Sequence, residues 1–138
     1  MHRDIKPENI LMSSKDGQAK LADLGVSCQL EEDMKLTSTQ GTPQFMAPEI
    51  HNSSFDGFLA KPTDIWSLGI TLYAFISSKT PFWSENEFEI ANKTQNEVAP
   101  KIENASDLLN DLMQKMISKN VDERPTATEV LEHEWFKS

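Results

Sequence analysis

The chain has a single cysteine, Cys28, among 138 residues. One thiol cannot close an internal disulfide, so no disulfide framework holds this fold. Glycine is sparse at five residues, and no glycine- or serine-rich linker, low-complexity tract or repeat divides the chain. Basic residues are the minority, 13 against 22 acidic, and the net charge of −9 excludes electrostatic capture by nucleic acid or an anionic membrane. Long hydrophobic runs are also lacking. Residues 65–78 carry no charge, but these 14 residues fall short of the ~20 that cross a bilayer. The opening Met-His-Arg-Asp has neither an apolar signal region nor a Met-Gly acylation start, so a cytoplasmic protein is expected. What is present points to a globular chain: 38% hydrophobic residues, with three Trp and seven Phe. A chain of this length buries about two thirds of its unfolded surface, enough for one domain with a real core.

The charge is uneven. Residues 1–30 hold four basic and four acidic side chains, residues 31–60 one against five, and residues 61–138 eight against thirteen. The acidic excess therefore lies outside the N-terminal segment, and Glu31-Glu32-Asp33 reads as a solvated acidic patch. Short apolar runs flank Asp16-Gly17, which predicts a hairpin over residues 10–22. Residues 26–60, rich in Ser, Thr and Pro, read as a long irregular and functional loop. The pattern then turns helical. Thr63 is placed to cap a helix through about Ser78, apolar almost all round and so buried. Ser84 to Glu87 reads as a capping box, Ser106 as a cap for Leu108 to Ile117, and Thr126 to Glu129 as a box opening a last helix into Trp135. The expected fold is mainly α with a short β-hairpin.

His2-Arg3-Asp4-Ile5-Lys6-Pro7-Glu8-Asn9 fits the catalytic-loop pattern of a protein kinase, with Ile5 where Leu is usual. Two further motifs follow in order. Thirteen residues separate Asn9 from Asp23-Leu24-Gly25, and twenty-one separate Gly25 from Ala47-Pro48-Glu49. With Asp122-Glu123-Arg124-Pro125 downstream, the chain resembles the C-terminal lobe of a serine/threonine protein kinase over essentially its whole length. Gly25-Val26-Ser27, residues 41–49 and Gly69-Ile70-Thr71-Leu72-Tyr73 look most like the calcium/calmodulin-dependent protein kinase kinases. Leu24 in place of Phe is shared with the liver kinase B type.

The resemblance implies a division into residues 1–9 as catalytic loop, 10–22 as hairpin, 23–49 as activation segment and 63–138 as helical subdomain. It implies ATP and Mg²⁺ as cofactors and a protein substrate with a Ser or Thr acceptor. Asp4 would orient the acceptor hydroxyl and Lys6 would neutralise the migrating phosphoryl group. Asn9 and Asp23 would offer the hard oxygen ligands that suit Mg²⁺, and Leu11 would join Lys6, Asn9 and Asp23 in contacting nucleotide. Thr42 would contact Asp4 and Lys6. Arg3 would grip a phosphate placed by an upstream kinase on Thr37, Ser38 or Thr39. Glu8 would attract a basic substrate residue, although the second acid that basophilic kinases carry is Ala74 here. Glu49 would pair with Arg124, and Asp64 would hold the catalytic-loop backbone. Cys28 reads as a small buried residue, and His51 and His133 have no partners at metal spacing.

No glycine-rich phosphate cover and no Val-Ala-Ile-Lys strand occurs in these residues. Met1 stands where longer kinases often carry Val, Ile or Met. The expectation is therefore a truncated catalytic lobe with negligible transfer alone, whose 65–76 helix leaves apolar surface prone to association. The competing expectation is a non-catalytic interaction module.

Overall fold

The computed structural model describes residues 1–29, 35–52 and 57–138. The acidic run Glu31-Glu32-Asp33 lies outside them. Two short strands, β1 (Ile10–Met12) and β2 (Ala19–Leu21), pair antiparallel with Ile10 opposite Leu21. The Ser13 amide donates to the Gln18 carbonyl at 2.9 Å, and Gly17 turns the chain at φ +67°. This is the hairpin that Asp16-Gly17 predicts. Its strand residues are exposed apart from Ile10, which is half-buried.

The stretch 26–60 is more regular than its composition suggests. β3 (Lys35–Leu36) pairs antiparallel with β4 (Phe58–Leu59), a 3₁₀ turn spans Pro43–Phe45, and α1 covers Pro48–His51. Two-residue strands are too short to show a period of two, and they form because Leu36 and Phe58 enter the core. Gly57, at φ +74°, permits the approach. A Cβ there would lie 2.6 Å from the Leu36 carbonyl oxygen.

α2 spans Ala60–Ser77 and starts before the expected cap. Pro62 sits in its first turn, where no N–H is required. Thr63 is already inside the helix, its hydroxyl donating to the Ala60 carbonyl at 2.7 Å. Trp66 and Ile70 are fully enclosed, whereas Phe75 and Ile76 at the far end are exposed. Only that end of α2 supplies the exposed apolar surface expected along 65–76. A larger set stands around the hairpin at Leu11, Met12, Leu21 and Leu24.

Three further α-helices follow among the described residues. α3 (Glu87–Asn96) is capped by Asn86, which accepts from the Phe88 amide at 2.9 Å. Ser84 is thereby released from the expected box and donates to Glu89 Oε2 at 2.5 Å. α4 (Asp107–Met116) starts at Ser106 as expected, and α5 (Ala127–Leu131) carries the complete Thr126–Glu129 capping box. The last helix ends earlier than expected, and Trp135 sits on a separate 3₁₀ turn over Glu134–Lys137. Leu131 is exposed, so no apolar face continues the helix across that break.

One core cluster joins Leu36, Phe45, Ile50, Phe58, Trp66, Ile70, Phe82 and Ile117, with Cys28 half-buried at its edge. The second joins Ile65, Leu112, Met116 and Val130 where α2 crosses α4. Among the described residues the architecture is mainly helical, with two small two-stranded sheets. No described helix is long and apolar enough to cross a membrane.

Candidate active site

The first nine residues hang from α2. The Asp64 carboxylate accepts the His2 amide at 2.7 Å and the Arg3 amide at 3.0 Å. The Thr71 hydroxyl reaches the Ile5 carbonyl at 3.4 Å, and the Ser67 hydroxyl donates to the Phe45 carbonyl at 2.7 Å. Arg3 turns through a left-handed conformation at φ +70°. His2 is buried beneath the loop. Its Nδ1 accepts from the Asp4 amide at 3.3 Å, which leaves the proton on Nε2 to donate to the Ala22 carbonyl at 2.9 Å.

Asp4 is the centre of the polar network. Its Oδ1 accepts from the Thr42 hydroxyl at 2.8 Å, and Oδ2 lies 3.0 Å from Lys6 Nζ. Lys6 Nζ also donates to Thr42 at 2.8 Å. The Asn9 side-chain amide donates to the Asp4 carbonyl at 2.8 Å and to Oδ2 at 3.2 Å. Burial raises the Asp4 pKa, but the Thr42 hydroxyl, the Lys6 ammonium and the Asn9 amide outweigh it and hold the carboxyl below its ordinary range. Asp4 is therefore ionised and purely an acceptor near neutral pH.

Thr42 reaches Asp4 because the chain packs tightly just before it. A Cβ on Gly41 would fall 2.5 Å from the Arg3 carbonyl oxygen, and Gly41 itself has φ +122°. The 3₁₀ turn Pro43–Phe45 and α1 follow, bringing Glu49 to Arg124. Arg124 Nη1 and Nη2 bond the two Glu49 oxygens at 2.7 and 3.0 Å. The guanidinium, fully shielded from solvent, also donates to the Pro62 and Ser118 carbonyls and lies 5.2 Å from the Trp66 ring centre. This paired, fully hydrogen-bonded arrangement is the form in which a buried charge is tolerable.

Some candidate residues remain apart. Asp23 is exposed at φ +61°, with Oδ1 accepting from the Gly25 amide at 3.2 Å and no bond to the Asp4 network. Leu11 is exposed on the hairpin, and Glu8 is exposed beyond Lys6. Of the three loop hydroxyl residues, Ser38 approaches Arg3, with Nη1 to Oγ 3.4 Å; Thr37 and Thr39 are exposed and make no bond to Arg3. The Arg3 Nε donates to the Val26 carbonyl.

The oxygens available to a divalent cation fit Mg²⁺ chemistry. The Asn9 nitrogen is committed to Asp4, which turns its amide oxygen away, and Asp23 keeps a second carboxylate oxygen. No cluster of three or more His, Cys, Asp or Glu forms a metal cage among the described residues. A cation bound through one carboxylate and one amide would complete its shell with phosphate and water, as Mg²⁺ commonly does.

Ser67, Thr71 and the buried His2 also support the site, beyond the residues to which the motifs give a role. Ser67 and Thr71, four apart in the uncharged stretch 65–78, are the signal that marks them, since residues at that spacing share one helix face.

Comparison with known proteins adds a separate line. The protein kinase domain family model matches residues 1–136. A calcium/calmodulin-dependent protein kinase kinase of Caenorhabditis elegans is 42% identical over 139 residues, covering 98% of this chain and 26% of its own length. Calcium-dependent protein kinase 21 of Arabidopsis thaliana is 38% identical over 143 residues, covering 99% and 26% respectively. A probable serine/threonine-protein kinase of Dictyostelium discoideum is 36% identical over 141 residues, covering 99% and 16%. The chain thus spans about a quarter or less of the length of these curated relatives. A loop, a helix-borne carboxylate and a buried Glu–Arg pair that sequence and geometry both set apart fall within that match, and the chain belongs to the protein kinase family.

Proposed function

We propose that these residues form the C-terminal, substrate-facing part of an ATP- and Mg²⁺-dependent serine/threonine protein kinase. Residues 1–9 act as catalytic loop, 10–22 as hairpin, 23–49 as activation segment and 63–138 as helical support. The observation that carries the reading is the Asp4 carboxylate, held ionised between Thr42, Lys6 and Asn9.

In this reading the substrate hydroxyl oxygen attacks the γ-phosphorus of ATP as the bond to the bridging oxygen breaks and ADP leaves. The hydroxyl proton passes toward Asp4, which fixes the direction of attack. Lys6 offers positive charge to the phosphoryl oxygens, so the chemistry is mostly positioning and charge neutralisation. Mg²⁺ would be held through Asn9 and Asp23 and would neutralise charge on the phosphates. Thr42 donates to Asp4 and accepts from Lys6, and this contact supports Ser or Thr as the acceptor. Arg3 acts as a sensor for a phosphate added to Ser38 by an activating kinase, Ser38 being the loop hydroxyl within its reach.

The test is transfer of γ-labelled phosphate to serine, threonine and tyrosine peptides by the full gene product containing these residues. Asp4→Asn should lower transfer by at least ~10³-fold while leaving the fold intact. Unchanged transfer in that variant would overturn the reading. The alternative, an interaction module without turnover, draws on one observation: Asp23 stands apart from the Asp4 network. Mg²⁺-dependent ATP binding that is lost in Asp23→Asn would remove that support.

A further inference from the structure

Residues 37–40 are all exposed, yet both ends of this stretch are fixed. Downstream, Gly41 packs on the Arg3 carbonyl with no room for a Cβ. Upstream, Leu36 is only 8% exposed and joins the same core cluster as Phe58, which is 5% exposed. Main chain contributes to the hold as well. In the β3–β4 pair Lys35 stands opposite Leu59 and Leu36 opposite Phe58. Gly57, just before β4, lies so close that an added Cβ would meet the Leu36 carbonyl oxygen at 2.6 Å and the Lys35 Cβ at 3.4 Å. A ladder of two residues supplies little stability by itself, so burial of Leu36 and Phe58 carries the attachment.

The attachment point is close to the regulatory contact. Ser38 lies two residues after Leu36, and its hydroxyl is 3.4 Å from Arg3 Nη1, at the outer limit of a hydrogen bond. An exposed contact of that length is too weak to order four residues against their conformational entropy. Phe58, Ser38, Arg3, Asp4 and Thr42 also line one cavity of about 10 Å³, room for one water molecule at most. Phe58 therefore borders both the ladder and the space beside the Asp4 network.

We propose that Leu36 is a positioning residue. Clasped by Gly57 and Phe58, it seats residues 37–40 so that Ser38 meets Arg3 before any phosphate is added. The clasp and an Arg3–phosphoserine pair are two holds on one docked state. Their effects on its population are not additive, and the phosphate gains most where the clasp is lost. This inference deepens the regulatory part of the phosphoryl-transfer reading and rests on it.

The experiment uses the full gene product, with Ser38 either free or carried as phosphoserine incorporated during synthesis. The samples are wild type, Leu36→Ala, Gly57→Ala, Leu36→Ile and the control Gly69→Ala, whose crowding falls on α4 instead. Two quantities are read: steady-state kcat, and the rate of tryptic cleavage after Lys35, the exposed residue of β3. With Ser38 free, Leu36→Ala should lower kcat and speed cleavage by at least about tenfold each against wild type in the same form. With Ser38 phosphorylated, both differences should shrink to less than about threefold. Gly57→Ala should repeat this pattern, and Leu36→Ile, which keeps the burial, should behave as wild type. Gly69→Ala should show the same kcat ratio to wild type in both forms.

An equal fall of kcat in both forms of Leu36→Ala and Gly57→Ala would overturn the proposal. So would cleavage that stays at the wild-type rate in both variants, or phosphate rescue of Gly69→Ala to the same extent. The phosphoryl-transfer reading fails on a different readout. If it alone is wrong, no sample transfers phosphate, while the cleavage rates still follow the clasp and the phosphate.

Discussion

Thr42 links the two charges on which the proposed chemistry depends. Its hydroxyl donates to Asp4 and accepts from Lys6, so one oxygen fixes both side chains. Thr42→Ala should lower kcat on the order of tenfold to a hundredfold with a smaller change in KM, and Thr42→Ser should keep most of the rate, as steady-state kinetics would show. Asp4 also makes a pH signature. Folding lowers its pKa, so its contribution to stability is complete above about pH 5. That contribution is lost as the pH falls through the ordinary value of 3.8 and on through the lower folded one. Urea unfolding between pH 7 and pH 3 should therefore show the stability difference between wild type and Asp4→Asn changing most below about pH 5. Arg124 is the residue whose loss should be costliest to the fold. Arg124→Ala leaves Glu49 without its buried partner and should destabilise by about 3–5 kcal/mol, read from the urea midpoint.

At the scale of elements, α2 supports the site and the core together. Its Asp64 holds the loop, its Ser67 and Thr71 bond two carbonyls of other segments, and its Gly69 lets α4 approach. A Cβ on Gly69 would lie 2.8 Å from Ile117 Cγ2 and 2.9 Å from Met116 Cβ. Gly69→Ala should therefore cost about 1–3 kcal/mol through overpacking, despite alanine's better helix propensity, and a thermal melt would show the sign. The helices were legible in the sequence where a local signal existed. Ser106 and Thr126 cap the helices they were expected to cap, because a cap needs only a side chain and an amide two or three residues on. Thr63 and Ser84 offered the same local signal and lost to other partners, Ala60 and Glu89. The β3–β4 pair was illegible because its cause is non-local: Leu36 and Phe58 meet in the core across 21 intervening residues. The candidate site was more legible than the fold around it. Asp4, Lys6 and Asn9 are close in sequence, whereas the support given by Ser67 and Thr71 depends on how α2 is placed.

At the scale of the whole molecule, the described residues enclose a core but leave Leu11, Met12, Leu21 and Leu24 in water. Phosphoryl transfer needs the nucleotide held on every side, and in the proposed reading the two residues that would face it from the hairpin, Asp23 and Leu11, are exposed. The 138 residues by themselves should turn over Mg²⁺-ATP at a negligible rate, and turnover that Asp4→Asn abolishes would refute this. The exposed set should also make the chain associate, which light scattering would detect as a concentration-dependent mass reduced by Leu11→Lys or Leu24→Lys.

The β1–β2 hairpin acts as a ruler. Asn9 immediately precedes β1, Asp23 follows β2 by one residue, and the Ala22 amide bonds the Asn9 carbonyl at 2.8 Å. The span between Asn9 and Asp23, the two oxygen donors of the proposed reading, is thus set by strand register. A slip by one residue would displace Asp23 by roughly 3.4 Å along the strand and turn its side chain to the opposite face. The turn at Ser13 to Gln18 can consequently change in length without touching the site, provided Ile10 stays opposite Leu21. A residue added inside either strand cannot.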